Sequence, residues 1–213
     1  MGAARSLVLA SASPRRRALL ADAGVSFEVD PAGVDETLAP GVDPSSAARG
    51  LAEKKARAVA ARRTDAGWVL GADTVVALGG PPWSFLEKPA SPAEAAAMLA
   101  RLSGTRHAVE TGVSVVRPAD GACWTDSERT WVTMRVWSPA EIAAYVASGE
   151  WRDKAGGYAI QESADRFVLA LAGGGFDNVV GLPVARTLAL LARAGASAAL
   201  PGGARLVGEG GRG

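Results

Sequence analysis

The chain has 213 residues, 48% of them hydrophobic, which is enough to bury a substantial core. A formal net charge of +1 argues against a globally basic nucleic-acid binder. A single cysteine, Cys123, and a single histidine, His107, exclude an internal disulfide, a four-cysteine metal site and a multi-histidine cage, so any metal should be a hard cation held by carboxylates and phosphate oxygens.

In chain order, Ser6 to Ser11 reads as a short buried strand. Pro14 suits the first turn of a helix running to about Ala23, with Gly24 as its stop. Ser26 to Val29 is a short strand, and Asp43-Pro44 opens a long helix, SSAARGLAEKKARAVAARR. Trp68 to Ala72 and Thr74 to Leu78 are strand-like, interrupted at Asp73, and Gly79 to Trp83 is a Gly/Pro loop expected to join a hairpin. Ser91-Pro-Ala-Glu94 and Ser138-Pro-Ala-Glu141 are capping boxes with proline at the first helical position. Between them lie strands at about 106–117 and 122–137, the second carrying Trp124, Trp131 and Trp137 as packing aromatics of a half-buried sheet. Residues 157–161 and 166–172 read as two more strands. A last helix runs from Gly181-Leu182-Pro183 to about Ala194, and a glycine-rich tail follows from Pro201. Strands alternating with helices, with a strand-rich insertion, predict an α/β layered fold with a mixed sheet.

No stretch reaches the roughly 18 consecutive apolar residues of a membrane span, and MGAARSLVLASAS followed at once by Arg15 to Arg17 is poor as a signal peptide. A soluble, cytoplasmic protein is expected. Lysine occurs only at 54, 55, 88 and 154 among 23 basic residues, which marks those positions as candidates for a compact ammonium.

Chemistry concentrates in a few places. In SASPRR, a helix N-terminus offers unpaired N–H groups, Ser11 and Ser13 add hydroxyls, and Arg15 and Arg16 can grip phosphate oxygens bidentately. Arginines there oppose the helix dipole, which makes sense if an anion sits between. In WVLGADTVVALGG, Asp73 follows two small residues and can hold Mg²⁺ or position a water; a turn aspartate is the alternative. Asp35 and Glu36 form an adjacent acid pair that reads either as a solvated loop or as a shared metal site. Lys55 and Lys88 can each neutralise a phosphate. In DKAGGYAIQ, Gly156-Gly157 are placed where backbone can approach a ligand, and the Gln161 amide can read a base edge. His107 reads as structural. The phosphate-loop pattern GxxxxGK[ST] does not occur.

In this order, LASASPRRRALL, DET, LAEKKA, GADTVV, LEKP, SGTRHAVETGVSVV, YVASGEWRDKAGGYAIQ and NVVGLP resemble the Maf family of nucleoside triphosphate pyrophosphatases over about residues 7–190. The resemblance implies the Maf fold, related to inosine triphosphate pyrophosphatases: an elongated mixed sheet flanked by helices, with two lobes and a central cleft. It implies one Maf-like domain over residues 1–200, with 201–213 as a tail. It implies hydrolysis of a nucleoside triphosphate to the monophosphate and pyrophosphate with a divalent cation, Mg²⁺, Mn²⁺ or Co²⁺.

Carried over by position, Asp73 is the general base that orients water and, with Glu36, belongs to the metal site. Ser11, Ser13, Arg15, Arg16, Lys55 and Lys88 fall in the triphosphate region, and Arg15, Thr74 and Gln161 at positions that separate substrate subgroups. The Arg/Thr/Gln set resembles the subgroup acting on dTTP and UTP, with modified pyrimidine nucleotides as a further substrate class, and differs from the subgroup acting on 7-methyl-GTP. GGPPWSFLEKP and LALAGGGFDNVVGLP depart from the family's pattern in their loops. Two other readings stand beside this one. One is a nucleotide-binding regulator of septum formation with little turnover; the other is a nucleic-acid binder using the 44–63 helix, which Glu53 interrupts. No nucleic acid and no membrane are expected as partners, and a homodimer, the commonest assembly, is the expected oligomer.

Overall fold

The computed structural model describes residues 6–39 and 41–201. Most of the glycine-rich tail, from 202 onward, lies outside them. Seven strands form one mixed sheet: β1 (Leu7–Leu9), β2 (Glu28–Val29), β3 (Trp68–Leu78), β4 (Ser84–Leu86), β5 (Arg106–Val116), β6 (Cys123–Met134) and β7 (Val168–Ala172). The order is β2-β1-β3-β5-β6-β7, with β4 also on β3. β1 runs parallel to β2 and β3, and the remaining pairs are antiparallel. Among the described residues no helix is long and apolar enough to cross a membrane.

The helices start where the caps predict. In α1 (Pro14–Asp22), the Ser13 hydroxyl accepts from the Arg16 N–H at 3.4 Å, and Gly24 leaves the helix at φ 72°. In α2 (Pro44–Ala60), the Asp43 carboxylate accepts from the N–H groups of Ser45 and Ser46 at 3.0 and 3.2 Å. Ser91 caps α3 (Pro92–Leu102), and Ser138 with Glu141 forms a full capping box at α4 (Pro139–Ser148). Two further helices, α5 (Phe176–Val180) and α6 (Val184–Arg193), follow β7.

α2 lies directly on the sheet because two glycines make room for it. A Cβ on Gly71 of β3 would sit 2.8 Å from the Ala56 nitrogen and overlap the Ala52 carbonyl; one on Gly112 of β5 would sit 2.6 Å from the Arg49 nitrogen. On this face Gly71, Asp73 and Val75 alternate toward α2, as the two-residue period of a strand requires. On the opposite face Leu70 and Ala72 pack with Leu20, Leu190 and Leu191 of α1 and α6. A second core joins α3 and α4 to the far end of the sheet, where Trp137 stacks on Phe167 with ring centroids 3.4 Å apart.

The sheet has a notch. β5 pairs with β3 along one edge from Val69 to Leu78. The other edge of β3 is shared: β1 takes Trp68 to Leu70, and β4 takes Val76 to Leu78. Among the described residues no strand covers that edge at 71–75. The gap opens where β1 hands over to α1.

Several expectations are corrected here. β3 is one strand through Asp73, because β5 pairs with it without a break, Asp73 opposite Gly112. Residues 157–161 form no strand: a 3-10 turn at Ala155–Gly157 leads into chain that buries Tyr158 and Ile160 without joining a ladder. α5 was not expected, and Trp137 lies beyond the end of β6, in the core. The hairpin around Gly79 to Trp83 forms as read, with Leu78 opposite Ser84.

Candidate functional site

Asp73 is on the face of β3 covered by α2, and Lys55 lies on the turn of α2, between Ala52 and Ala56, that rests on Gly71. The consequence is a close ion pair: Lys55 Nζ is 2.5 Å from Asp73 Oδ1, and the side chains are 10% and 8% exposed. The same ammonium is 2.7 Å from Glu36 Oε1, and Lys88 Nζ is 3.5 Å from Glu36 Oε2. Burial would raise the Glu36 carboxyl, but its ion pairs with Lys55 and Lys88 outweigh that and hold it below the usual carboxylate range. Asp73 Oδ2 has no hydrogen-bond partner among the described residues.

The adjacent acids Asp35 and Glu36 part company. Asp35 accepts from the Thr37 N–H and hydroxyl at 3.0 and 2.7 Å, an Asx-type turn, and faces solvent. Lys54 donates to the Asp35 carbonyl at 2.6 Å and ties this loop to α2. Glu36 alone turns inward.

From the other flank of the notch comes the start of α1. Ser11 is buried, and its hydroxyl accepts from the Ser13 N–H at 3.2 Å and from Arg16 Nη1 at 3.3 Å. Arg16 also donates from Nε to the Gly181 carbonyl at 2.8 Å and from Nη2 to Thr74 Oγ1 at 3.0 Å. Burial lowers the Arg16 guanidinium from its ordinary value, opposed by the charges of Asp73 and Glu36; arginine stays protonated regardless. Arg16 is thus a strut that joins α1, β3 and the turn before α6, with N–H groups to spare. Arg15 makes no hydrogen bond or ion pair among the described residues and lines the same cleft.

That cleft is an open hollow with a charged lining. Arg15, Arg16, Lys55, Lys88 and Lys154 outnumber Glu36, Asp73 and Asp153 along it. Its far wall is the turn carrying Gln161, whose Nε2 is 3.2 Å from Glu162 Oε1. Two buried tyrosines hold that turn: the Tyr158 hydroxyl is 2.9 Å from His107 Nε2, and the Ala159 N–H donates to the Tyr145 hydroxyl at 3.0 Å. His107 is fully buried, and burial pushes its imidazole down to about 4, in keeping with a structural role.

Ser13, Arg15, Arg16, Glu36, Lys55, Asp73, Thr74, Lys88 and Gln161 therefore line one cleft, with Ser11 on an adjoining arm. Gly156 and Gly157 do not line it. They are buried, at φ 73° and 70°, against Val76 and Pro89, so they let the turn close on β3 rather than meet a ligand. Lys154, marked in the sequence only as one of four scarce lysines, lines the cleft, and sequence reading missed Thr111 and Asn178. Thr111 and Asn178 are fully buried behind Thr74, and only a structure-level pairing could have found them.

The donor set suits a hard cation of modest coordination demand. Glu36 and Asp73 already converge on one positive charge, and Mg²⁺ is commonly bound through one or two carboxylates plus substrate phosphates. Among the described residues no group of three His, Cys, Asp or Glu could hold a metal by itself.

The sequence model of a family described as "Maf-like protein" matches residues 6–194. A protein of Salinibacter ruber named dTTP/UTP pyrophosphatase is 52% identical over 180 residues, covering 84% of this chain and 86% of the relative. Relatives of the same name from Moorella thermoacetica and Thermomicrobium roseum are 50% and 49% identical, covering 87% and 92% of this chain and 93% and 87% of the respective relatives.

Proposed function

The chain belongs to the Maf family, and we propose that it hydrolyses dTTP and UTP to the nucleoside monophosphate and pyrophosphate. The observation that carries this is the juxtaposition in one cleft of an α1 N-terminus flanked by Arg15 and Arg16 with the Asp73–Lys55–Glu36 cluster. A triphosphate carries several negative charges, which the cations and the helix N-terminus offset. Relatives about 50% identical over most of their length carry the dTTP/UTP pyrophosphatase name.

Asp73 Oδ2 accepts a proton from a water and directs its oxygen at the α-phosphorus. The new P–O bond forms as the bond to the bridging oxygen breaks, and pyrophosphate leaves with that electron pair. Such displacements need positioning and charge stabilisation and little covalent chemistry. Lys55 fixes the Asp73 carboxylate through Oδ1 and leaves Oδ2 for the water. Arg15, Lys88 and the unpaired N–H groups of α1 hold the phosphate oxygens. Glu36 and Asp73 would hold a divalent cation together with phosphate oxygens, and that cation supplies further neutralisation of the phosphate charge. Gln161 and Thr74 read the base, because a site built on polar pairing discriminates strongly against the wrong partner. One domain over residues 1–200, acting as a cytoplasmic homodimer, completes this reading; cell fractionation and light scattering test its location and assembly.

The experiment is a side-by-side profile of dTTP, UTP, CTP, GTP and 7-methyl-GTP with pyrophosphate as the readout. The expected result is preference for dTTP and UTP, loss of activity in a chelator with recovery on adding Mg²⁺ or Mn²⁺, and a drop of about 10³-fold or more in Asp73→Asn. Preference for CTP or 7-methyl-GTP refutes the substrate reading. Full release by Asp73→Asn refutes the mechanism.

A further inference from the structure

Behind Thr74 runs a buried chain of hydrogen bonds whose proton directions can be worked out. Thr111 Oγ1 is 2.9 Å from the Asn178 carbonyl, which can only accept, so Thr111 donates there. That carbonyl has no backbone donor: the Leu182 N–H, which a continuing helix would direct toward it, goes to the Asp177 carbonyl, as the Gly181 N–H does. The Asn178 amide is fixed in turn, since Nδ2 donates to the Val109 carbonyl at 3.2 Å and to Thr130 Oγ1 at 2.8 Å. Thr130 sends its own proton to the Gly175 carbonyl at 3.1 Å. Thr111, Thr130 and Asn178 are all fully buried, and although Asn178 Oδ1 has no partner among the described residues, each further group orphaned here would lose its water with nothing in return.

Thr74 Oγ1 is 2.9 Å from Thr111 Oγ1. Thr111 has spent its single proton on Asn178, so Thr74 is the donor in that contact. Arg16 Nη2 also donates to Thr74. With its proton turned inward and one lone pair taken, the Thr74 hydroxyl has one acceptor site left, and Thr74 is partly exposed to the cleft.

We propose that Thr111 and Asn178 are positioning residues that polarise Thr74, so that it meets the nucleobase as a hydrogen-bond acceptor and selects a base presenting an N–H there. This rests on the pyrimidine triphosphate reading above. The imide N3–H of uracil and thymine satisfies such an acceptor. Cytosine has a lone pair at the same position, which would face the Thr74 lone pair. The selectivity of the cleft for imide bases is then set by residues that never touch the nucleotide, through the direction of one proton.

The test compares kcat/KM for UTP and CTP in the wild-type chain and in Thr111→Val, Thr111→Ser and Thr74→Val. Thr111→Val removes the acceptor that holds the Thr74 proton and frees that proton to face the cleft. The UTP-to-CTP ratio is expected to fall roughly tenfold, mostly through KM, the size of one well-made hydrogen bond exchanged for a poor one. Thr111→Ser keeps the hydroxyl relay and the ratio. In a Thr74→Val background, Thr111→Val should change the ratio no further, whereas a general loosening of the fold would still add to the defect.

An unchanged ratio in a folded Thr111→Val overturns the proposal, as does a fall of equal size in Thr111→Ser. Should Thr111→Val not fold, Thr74→Val carries the test, and an unchanged ratio there overturns the acceptor role. A wild-type chain that releases no pyrophosphate from UTP or dTTP overturns the proposed function and this assignment with it. Wild-type activity with unaltered variant ratios overturns this assignment alone.

Discussion

Replacing Lys55 by methionine removes the ammonium that two carboxylates share. The stem is kept, so packing against α2 and β3 changes little. What is lost are contacts of 2.5 Å to Asp73 and 2.7 Å to Glu36. Asp73 is only 8% exposed, so its charge is left nearly dry and unpaired, a defect of about 3–5 kcal/mol. Glu36 is 42% exposed and keeps Lys88, so its share is discounted to at most about 1 kcal/mol. A chain of this size loses about 2–4 °C of Tm for each kcal/mol, so Lys55→Met should melt roughly 10 °C below wild type at pH 7.

Thermal unfolding followed by circular dichroism measures this, with Lys55→Met/Asp73→Asn as the decisive partner. Neutralising Asp73 removes the orphaned charge, so the double variant should recover at least half of the lost stability while staying inactive. Millimolar Mn²⁺ should raise the Tm of Lys55→Met more than that of wild type, since both carboxylates are then free to bind it. If Lys55→Met melts within about 2 °C of wild type, or if the double variant is no more stable than the single, the ion pair does not carry the site as described.

Three further outcomes follow from other parts of the molecule. Gly71→Ala forces a Cβ into the backbone of α2 at Ala52 and Ala56, which cannot yield as a side-chain tip could; a loss of about 2–3 kcal/mol in denaturant unfolding is expected, and a loss below about 0.5 would contradict the close approach. Arg15→Ala should raise KM for dTTP about tenfold or more with Tm unchanged, because Arg15 has no protein partner among the described residues, while Arg16→Ala should also lower Tm, having lost its contacts to Ser11, Thr74 and Gly181. His107 is held neutral by burial, down to about 4 from 6.5, so between pH 6.5 and 4 the unfolded chain binds a proton that the native chain does not. Its contribution is whole above pH 6.5 and is lost as pH falls, by about 3 kcal/mol at most; His107→Gln should flatten the wild-type decline of stability over that window, and parallel pH–Tm curves would refute it.

Much of this was legible in the residues. Helix starts were marked by Ser13-Pro14, Asp43-Pro44, Ser91-Pro92 and Ser138-Pro139, because a capping side chain and a proline act within a single turn. The hairpin after β3 was marked by its Gly/Pro loop. Misreadings came where the local signal is ambiguous. Asp73 looks like a strand breaker in isolation, yet β5 pairs straight through it and Lys55 offsets its charge. Tyr158-Ala159-Ile160 has the apolar character of a strand, but those side chains fill the core from a turn. α5, at Phe176–Val180, is too short to show a helical period.

The sequence by itself determined the inventory: where elements begin, which stretches are buried, and which charged and hydroxyl side chains are candidates for phosphate and metal chemistry. Those signals are short-ranged, set by backbone sterics, capping and hydrophobic period. Only the tertiary structure decided which candidates meet. Lys55 reaches Asp73 because Gly71 and Gly112 let a helix settle onto the sheet, and Arg16 reaches Gly181, far along the chain, because β1 ends beside the notch in β3. The direction of the Thr74 proton depends on Asn178 in the same way. Such pairings join residues far apart along the chain, and packing alone brings them within hydrogen-bond reach.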